Sequence, residues 1–459
     1  MKKELKREMS LLQATSINMI DMVGIGPFVT IPLVIGMMGS HFLWAWLLGA
    51  TISFVDAFIW SELGSANPKA GGSYNFLKEA YGTKWGKFFS FLYVWQTCVQ
   101  APLVIASGAI GFSQYASFIF PLDEWGKKIL SGSIVIVLVI LLYREIKTIG
   151  KISVILWLSV IATIVWIIIG GISYAHPVEN WFSSAVELPD FSSMFFVAIG
   201  AASVKTVYSY LGYYNVCHLG GEIKNPERNI PRSIFISVAG IAVLYLLMNL
   251  SITRVIPWQE AQHSEFIVSS VIATIYGNQA ALIATALVLL IAFSSLFAVI
   301  LGYSRIPYAA AVDGQFFKIF AKLHPTKNFP YVSLLALGAV GFVFSLLFRL
   351  GDVITAVLAM RIMIQFVAQA IGVILLRKKN EADKISDSFH SNKKTFRMPL
   401  YPLPVFVAIV IWIFIFISTG TKFMISGGIM IAAGSLVFLL RNHFQKTVSS
   451  NKIDQDLKK

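Results

Sequence analysis

Charge is the scarcest ingredient of this chain: 13% of its 459 residues are Asp, Glu, Lys or Arg, against roughly 25% in an ordinary soluble domain. With 56% of the residues hydrophobic, a water-soluble fold has too little polar surface to cover its apolar content. Cysteine is nearly absent. The two present, Cys98 and Cys217, both lie inside apolar runs, which excludes a disulfide framework and leaves them the role of small apolar side chains. No phosphate-binding loop, no Cys/His metal spacing and no Gly-x-Ser-x-Gly elbow is found, so neither an enzyme nor a protein with a metal or organic cofactor is expected. The Gly-x-Gly at 24–26 lies in an apolar run rather than after a strand. A soluble domain also finds no room, because the longest polar stretch, Arg377 to Arg397, is charged and Ser/Asn-rich and cannot form a core.

Long apolar runs are what the chain has instead. A bilayer core ~30 Å thick needs ~20 apolar residues per helical span, and twelve such runs lie near 14–37, 42–66, 86–119, 129–143, 152–172, 192–219, 234–253, 280–304, 331–348, 352–376, 402–420 and 423–440. The first is too long to be a cleaved leader and follows a charged segment, so it is expected to stay as a span. The net charge of +14 does not point to nucleic acid once it is sorted by loop. With the amino terminus inside, all but seven of the 37 basic residues fall on inner segments. Five lie outside (Lys127, Lys128, Arg254, Arg349 and Lys422) and two, Lys205 and Arg361, lie within spans. The positive-inside rule then places both termini in the cytoplasm of a multi-pass protein of the cell (inner) membrane.

Two spans are interrupted in the same way. Span one carries Gly24-Ile25-Gly26-Pro27, where glycine and proline make a continuous helix difficult. Span six carries the run Tyr208-Ser209-Tyr210-Leu211-Gly212-Tyr213. Interrupted segments at matching positions in two halves point to an inverted repeat and its binding site. The predicted architecture is therefore all-α and polytopic, with twelve transmembrane helices: a tail 1–10, a five-helix repeat 11–172, an inverted five-helix repeat 192–376, a cytoplasmic linker 377–400, helices eleven and twelve over 401–440, and a tail 441–459. Span three, with Pro102 near its middle, is expected to be tilted or kinked, and 258–277 to cap the outer surface.

Irregular backbone at membrane depth is tolerated where it lines protein or a watery cavity. The two breaks would present positive amino ends of half-helices near Phe28 and Tyr213, and negative carboxyl ends near Val23 and Ser209. Such a cradle suits a zwitterion, with its carboxylate on the amides of Gly24, Ile25 and Gly26 and its ammonium on carbonyls of the span-six break. Val23, Ser209, Gly212 and the amphipathic rings of Tyr208, Tyr210 and Tyr213 join it as expected pocket walls, with Trp95 and Gln96 of span three. A charge buried in a span is costly and usually functional, which singles out Asp21, Asp56, Lys205 and Arg361. Asp21, three residues before Gly24 on the same helical face, is a candidate carrier of a coupling proton; the plainer reading is a structural carboxylate hydrogen-bonded within the bundle or paired to a cation such as Lys205.

Four stretches resemble the amino acid-polyamine-organocation superfamily of permeases. Val23-Gly24-Ile25-Gly26-Pro27-Phe28 resembles its substrate-carboxylate motif, with Ile25 where the family has serine. Trp60-Ser61-Glu62-Leu63-Gly64, continuing to Pro68, Gly71, Gly72 and Tyr74, is similar to the end of its second helix. GYYNVCHLGGEIKNPERNIPRS, ending at Ser233, is similar to its sixth helix and following loop, and Ser304-Arg305-Ile306-Pro307-Tyr308 through Asp313-Gly314 to Pro330 to the loop between helices eight and nine. The resemblance spans roughly 11–440 and implies the leucine-transporter-type five-plus-five fold with discontinuous helices one and six, alternating access, and amino acids, neutral L-amino acids first, as substrates. The helix-five lysine of many relatives has no counterpart in 152–172. By the same resemblance Ser294 and Ser295 stand where sodium-coupled relatives place hydroxyl ligands, a second choice after the proton, and Glu222, Arg228 and Arg232 are expected at an inner gate. A polyamine or cationic-solute permease would need more carboxylates than Asp21 and Asp56 supply. A channel or solute sensor of the same fold would lack counterflow.

Overall fold

The computed structural model describes residues 5–347, 350–386 and 395–456. Arg349, part of the expected linker (387–394) and the extremities of both tails lie outside the described residues. Among the described residues every regular element is a helix. In chain order they are α1 Leu11–Met22, α2 Gly26–Met38, α3 Phe42–Ala66, α4 Ser73–Ala80, α5 Gly82–Ala116, α6 Glu124–Leu142, α7 Ile146–Ile172, α8 Trp181–Val186, α9 Ser193–Tyr210 and α10 Asn215–His218. The second half continues with α11 Pro226–Val255, α12 Trp258–Ala261, α13 Ile267–Tyr276, α14 Asn278–Tyr303, α15 Arg305–Val312, α16 Tyr331–Leu347, α17 Leu350–Arg361, α18 Gln369–Ser386, α19 Leu403–Ser418 and α20 Thr421–Asp456.

Eight helical stretches are long and apolar enough to cross a bilayer, and Ile267–Tyr276, Tyr331–Leu347 and Leu403–Ser418 are shorter apolar helices. The gap between eight and the twelve expected spans falls where the chain is interrupted or short. α1 is cut off at 12 residues by the first break, α9 carries Lys205 in its 18, and α16 and α19 have 17 and 16. α5 is one continuous helix of 35 residues despite Pro102, roughly 50 Å at 1.5 Å per residue, so it must lie tilted in a ~30 Å core. Two expected polar segments turn out to be helical extensions. α18 carries on through Ser386 into the expected linker, whose start is rich in residues with good helix propensity, and α20 runs to Asp456 in the expected tail. The segment 258–277 forms the two short helices α12 and α13.

Ser10 starts α1 with a reciprocal capping box, its hydroxyl accepting from the Gln13 amide while the Gln13 side chain accepts from the Ser10 amide. α1 packs on α7, α11 and α14, and α2 on α9, while α3 lies against α9 and α11. Helix contacts this close need small residues. At Gly49 of α3 an added Cβ would come within 2.9 Å of the Tyr210 ring and 3.0 Å of the Thr206 hydroxyl on α9. The breaks between α1 and α2 and between α9 and α10 thereby come to the centre of the bundle.

Candidate functional site

The first break occupies Val23, Gly24 and Ile25. α1 closes with the Val23 amide donating to the Met19 carbonyl at 2.9 Å, whereas the amides of Gly24, Ile25 and Gly26 find no backbone acceptor among the described residues. Pro27 follows in the first turn of α2, where its missing amide removes nothing the helix needs. The second break lies further along than the sequence suggested. Tyr208, Ser209 and Tyr210 are still helical, Leu211 is extended, and Gly212 sits at φ +123°. Aromatic side chains continue a helix without difficulty; a left-handed glycine ends it. The half-helices therefore finish at Met22 and Tyr210 and restart at Gly26 and Asn215, rather than at Val23, Ser209, Phe28 and Tyr213.

The two breaks touch. A Cβ on Gly212 would lie 2.7 Å from the Met22 amide nitrogen and 2.8 Å from the Asp21 carbonyl carbon. Polar side chains tie the loose ends together. The Tyr245 hydroxyl of α11 donates to the Met22 carbonyl at 2.8 Å and lies 3.1 Å from the Ser209 carbonyl, so one group serves the carboxyl ends of both α1 and α9. Asn18 of α1 accepts from the Val216 amide at 2.9 Å. Asn215 donates its side-chain amide to the Asp21 carboxylate at 2.7 Å and to the Ala298 carbonyl at 2.8 Å. Thr30 and Ser209 share a hydroxyl hydrogen bond of 2.9 Å. Ser295 of α14 donates to the Asp21 carbonyl at 3.2 Å.

Between the breaks is a narrow cavity of about 60 Å³, room for a few water molecules. Its lining brings together Asp21, Gly24, Ile25, Gly26, Tyr208, Ser209, Gly212 and Ser295 from the expected set, and adds Tyr214, Tyr303 and Arg361. Other expected residues stand elsewhere. Val23 is fully buried as the cap of α1. Tyr210 packs edge-on against Trp46 and Tyr245. Tyr213 turns away and donates to Asp56 at 2.5 Å, where Trp60 also donates at 2.8 Å, so Asp56 belongs to a buried aromatic cluster outside the cavity lining. Trp95 donates its indole N–H to the Met430 carbonyl on α20 at 3.1 Å, and Gln96 is buried outside the lining. Periodicity cannot tell which neighbour an aromatic on a buried helix will meet. Ser294 bonds back to its own helix at Leu290, 2.6 Å, and Lys205 donates to Thr355 at 3.0 Å in a separate vestibule.

At the end of the bundle that carries residues 5–10, Glu222 is fully buried and held by Nη2 and Nε of Arg305, at 2.9 and 3.0 Å. Arg228 and Arg232 are exposed, so the partner of Glu222 comes from the start of α15 instead. Arg305 is the first charged residue of the fourth family-like stretch and Glu222 lies in the third, and the ion pair is where those stretches meet. The amino-terminal segment straps over this pair: the Glu8 and Met9 amides both donate to the Glu222 carbonyl at 3.0 Å, and the Lys224 amide donates to the Met9 carbonyl at 2.9 Å. Lys78–Asp313 (2.5 Å) and Arg377–Glu62 (2.6 Å) close the same end further out.

An all-helical, multi-pass membrane bundle with a polar cavity between two touching helix breaks is the architecture of a solute transporter. The chain belongs to the amino acid permease family, whose model, described as "Amino acid permease", matches residues 9–440. It is similar to the serine/threonine exchanger SteT of Bacillus subtilis, 26% identical over 439 residues that cover 94% of this chain and 95% of the relative. It is likewise similar to the methylthioribose transporter of the same organism, 25% identical with 95% and 94% covered. The branched-chain amino acid permease BcaP of Bacillus subtilis is 23% identical, with 95% and 93% covered.

Proposed function

We propose that this permease is a secondary transporter that carries amino acids across the cell membrane by alternating access, with residues 11–172 and 192–376 as inverted five-helix repeats. The contact of the two helix breaks around one cavity carries the reading. The α-carboxylate sits on the free amides of Gly24, Ile25 and Gly26 at the amino end of α2, where the helix dipole favours an anion. The ammonium faces the carboxyl ends of α1 and α9 and the Asp21 carboxylate. Because Ile25 stands where a hydroxyl is usual in the family-like motif, carboxylate recognition here rests on backbone donors alone.

The loop distribution of Lys and Arg supports cytoplasmic termini. It also makes the Glu222–Arg305 pair with its strap the inner gate, closed here, while a vestibule opens at the other end. Proton symport through Asp21 and exchange of internal for external amino acid are the two coupling modes that fit. Asp21 fits the first because it lines the cavity and is bonded through Asn215 to the start of α10. Ser295 is held by the Asp21 carbonyl, the arrangement a sodium site would have to rearrange.

The test is uptake of a panel of labelled amino acids and polyamines into proteoliposomes, with pH, sodium and internal amino acid varied separately. Gly26→Leu should abolish uptake of every amino acid. A single methyl on Gly26 would already meet Ser209 and Tyr208 at 3.4 and 3.5 Å, and the longer side chain must enter the carboxylate position. Normal uptake by that variant rules out the assigned cradle.

A further inference from the structure

Arg361 is the cation of the cavity. It is 2% exposed, and among the described residues no carboxylate lies within ion-pair distance of it. Its Nε donates to the Gln365 side chain at 3.0 Å and its Nη2 to the Tyr214 hydroxyl, while no acceptor among the described residues takes Nη1. The rings of Tyr214, Tyr303 and Phe366 lie 5.2, 5.9 and 5.6 Å from the guanidinium carbon. These contacts fix the plane of the fork without neutralising it. The backbone sets the group apart as well: α17 ends at Arg361 and a wide π-helical turn, Ile362–Ala368, follows, a distortion that recurs at functional sites.

Above the cavity, four of its helices also line a second, larger space. On α2 the lining moves from Gly26 to Val29 and Leu33, on α5 from Val104 and Gly108 to Ile110 and Ser113, on α9 from Tyr208 back to Lys205, and on α17 from Arg361 back to Ile354. Each step is one or two turns. The vestibule, about 580 Å³, is lined among the described residues by Lys127, Lys128 and Lys205 against a single acid, Glu124; Lys127 lies 3.3 Å from Glu124 and Lys128 over the Trp125 ring. A basic mouth and a buried guanidinium thus lie along the same four helices. Among the described residues Asp21 is the one acid in the cavity lining, and it is engaged by Asn215.

We propose that the amino acid carried by this permease has an anionic side chain, and that Arg361 receives it. This rests on the amino acid permease reading of the same cavity and replaces its neutral side chain with a dicarboxylic one. The three charges of such a substrate then find three partners: the α-carboxylate the amides of Gly24 to Gly26, the ammonium Asp21 and the carboxyl ends of the half-helices, and the side-chain carboxylate the Arg361 fork. A guanidinium matches a carboxylate in plane and spacing, and a buried cation with no carboxylate in direct contact is costly, so binding the anion relieves a cost that a neutral side chain leaves in place. The lysines of the mouth raise the local concentration of anions.

Glutamate against glutamine is the decisive comparison, since the two differ in charge and hardly in shape. In proteoliposomes containing the full chain, glutamate or aspartate should compete with labelled substrate at least about tenfold better than glutamine or asparagine. Arg361→Gln should cut the glutamate-to-glutamine ratio about tenfold or more, abolishing the preference, with Arg361→Lys in between. Lys127→Gln with Lys128→Gln should slow glutamate capture at low ionic strength and leave it unchanged at high. Where an Arg361 variant does not fold, the wild-type protein still decides: glutamate should raise its melting temperature in detergent and glutamine should not. Transport of neutral amino acids with no advantage for acidic ones overturns the inference and leaves the permease reading standing; transport of no amino acid at all overturns both. If Asp21→Asn combined with Arg361→Gln restores the wild-type preference, Arg361 is only the counter-ion of Asp21 and the inference fails.

Discussion

Gly212 occupies the point where the two broken spans meet, and two independent demands fall on it. Its φ of +123° lies where side chains are rarely tolerated, and its missing Cβ leaves room for the backbone of Asp21 and Met22. Gly212→Ala should therefore destabilise the detergent-purified protein by about 2 kcal/mol or more, read as a lower melting temperature, and abolish uptake. A variant with wild-type melting and transport would show that the breaks are not in contact during turnover. Residues of this kind were legible, because glycine inside an apolar run is itself a signal. The orientation of bulky rings was not. Tyr213 and Trp95 are spent on Asp56 and on α20, and nothing in their spacing distinguishes those neighbours from a ligand. Arg361 lay between the two cases: its charge within a span marked it as a residue with work to do, while its place in the cavity needed the fold.

Among the elements, the interrupted spans could be read from glycine and proline, but the devices that keep the interruptions in register could not. α10 is four residues long, far below the length at which a helix holds itself together. It depends on Asn18 for the Val216 amide, on Asn215 for its link to α1, and on the helices around it. Tyr245 sits in the apolar run of α11, where it looks like any other large side chain, yet its hydroxyl serves two helix ends. Tyr245→Phe should lower stability by about 1 kcal/mol, the worth of one buried hydrogen bond. It should also raise the KM for every amino acid alike, because the carboxyl ends of α1 and α9 lose their common tether. An unchanged KM in proteoliposomes would assign the hydroxyl to folding alone. The π-helical turn after Arg361 had no sequence signature either, since it contains neither proline nor glycine.

For the molecule as a whole, the polar contacts are distributed unevenly between its two ends. One end is held by the fully buried Glu222–Arg305 pair and two outer pairs, Lys78–Asp313 and Arg377–Glu62, while the other holds the open vestibule. Removing one partner of a buried pair strands the other and costs about 3–5 kcal/mol, so Arg305→Gln should shift the population toward opening at the Glu222 end. Cys217, buried on α10 five residues from Glu222, reports on that shift. With Cys98→Ala as background, Arg305→Gln should speed its labelling by a membrane-permeant maleimide, whereas unchanged labelling would mean that the pair does not hold this end shut. The bundle and its broken spans were visible in the sequence, since apolar runs and charge sorting are long-range statistics. The partner of Glu222 was not, because Glu222 and Arg305 are 83 residues apart and several nearer cations competed for the role.

The strap of residues 8 and 9 gives the proposed gate a particular time course. Three backbone hydrogen bonds converge on Glu222 and Lys224, directly beside the ion pair, so the loop cannot leave Arg305 without also peeling off the strap. Such a latch has little use for a half-open position: each bond that remains holds the others in place. Opening on this side should accordingly come as rare, abrupt events separated by long closed intervals, with the dwell time set at the latch rather than in the cavity where the solute waits.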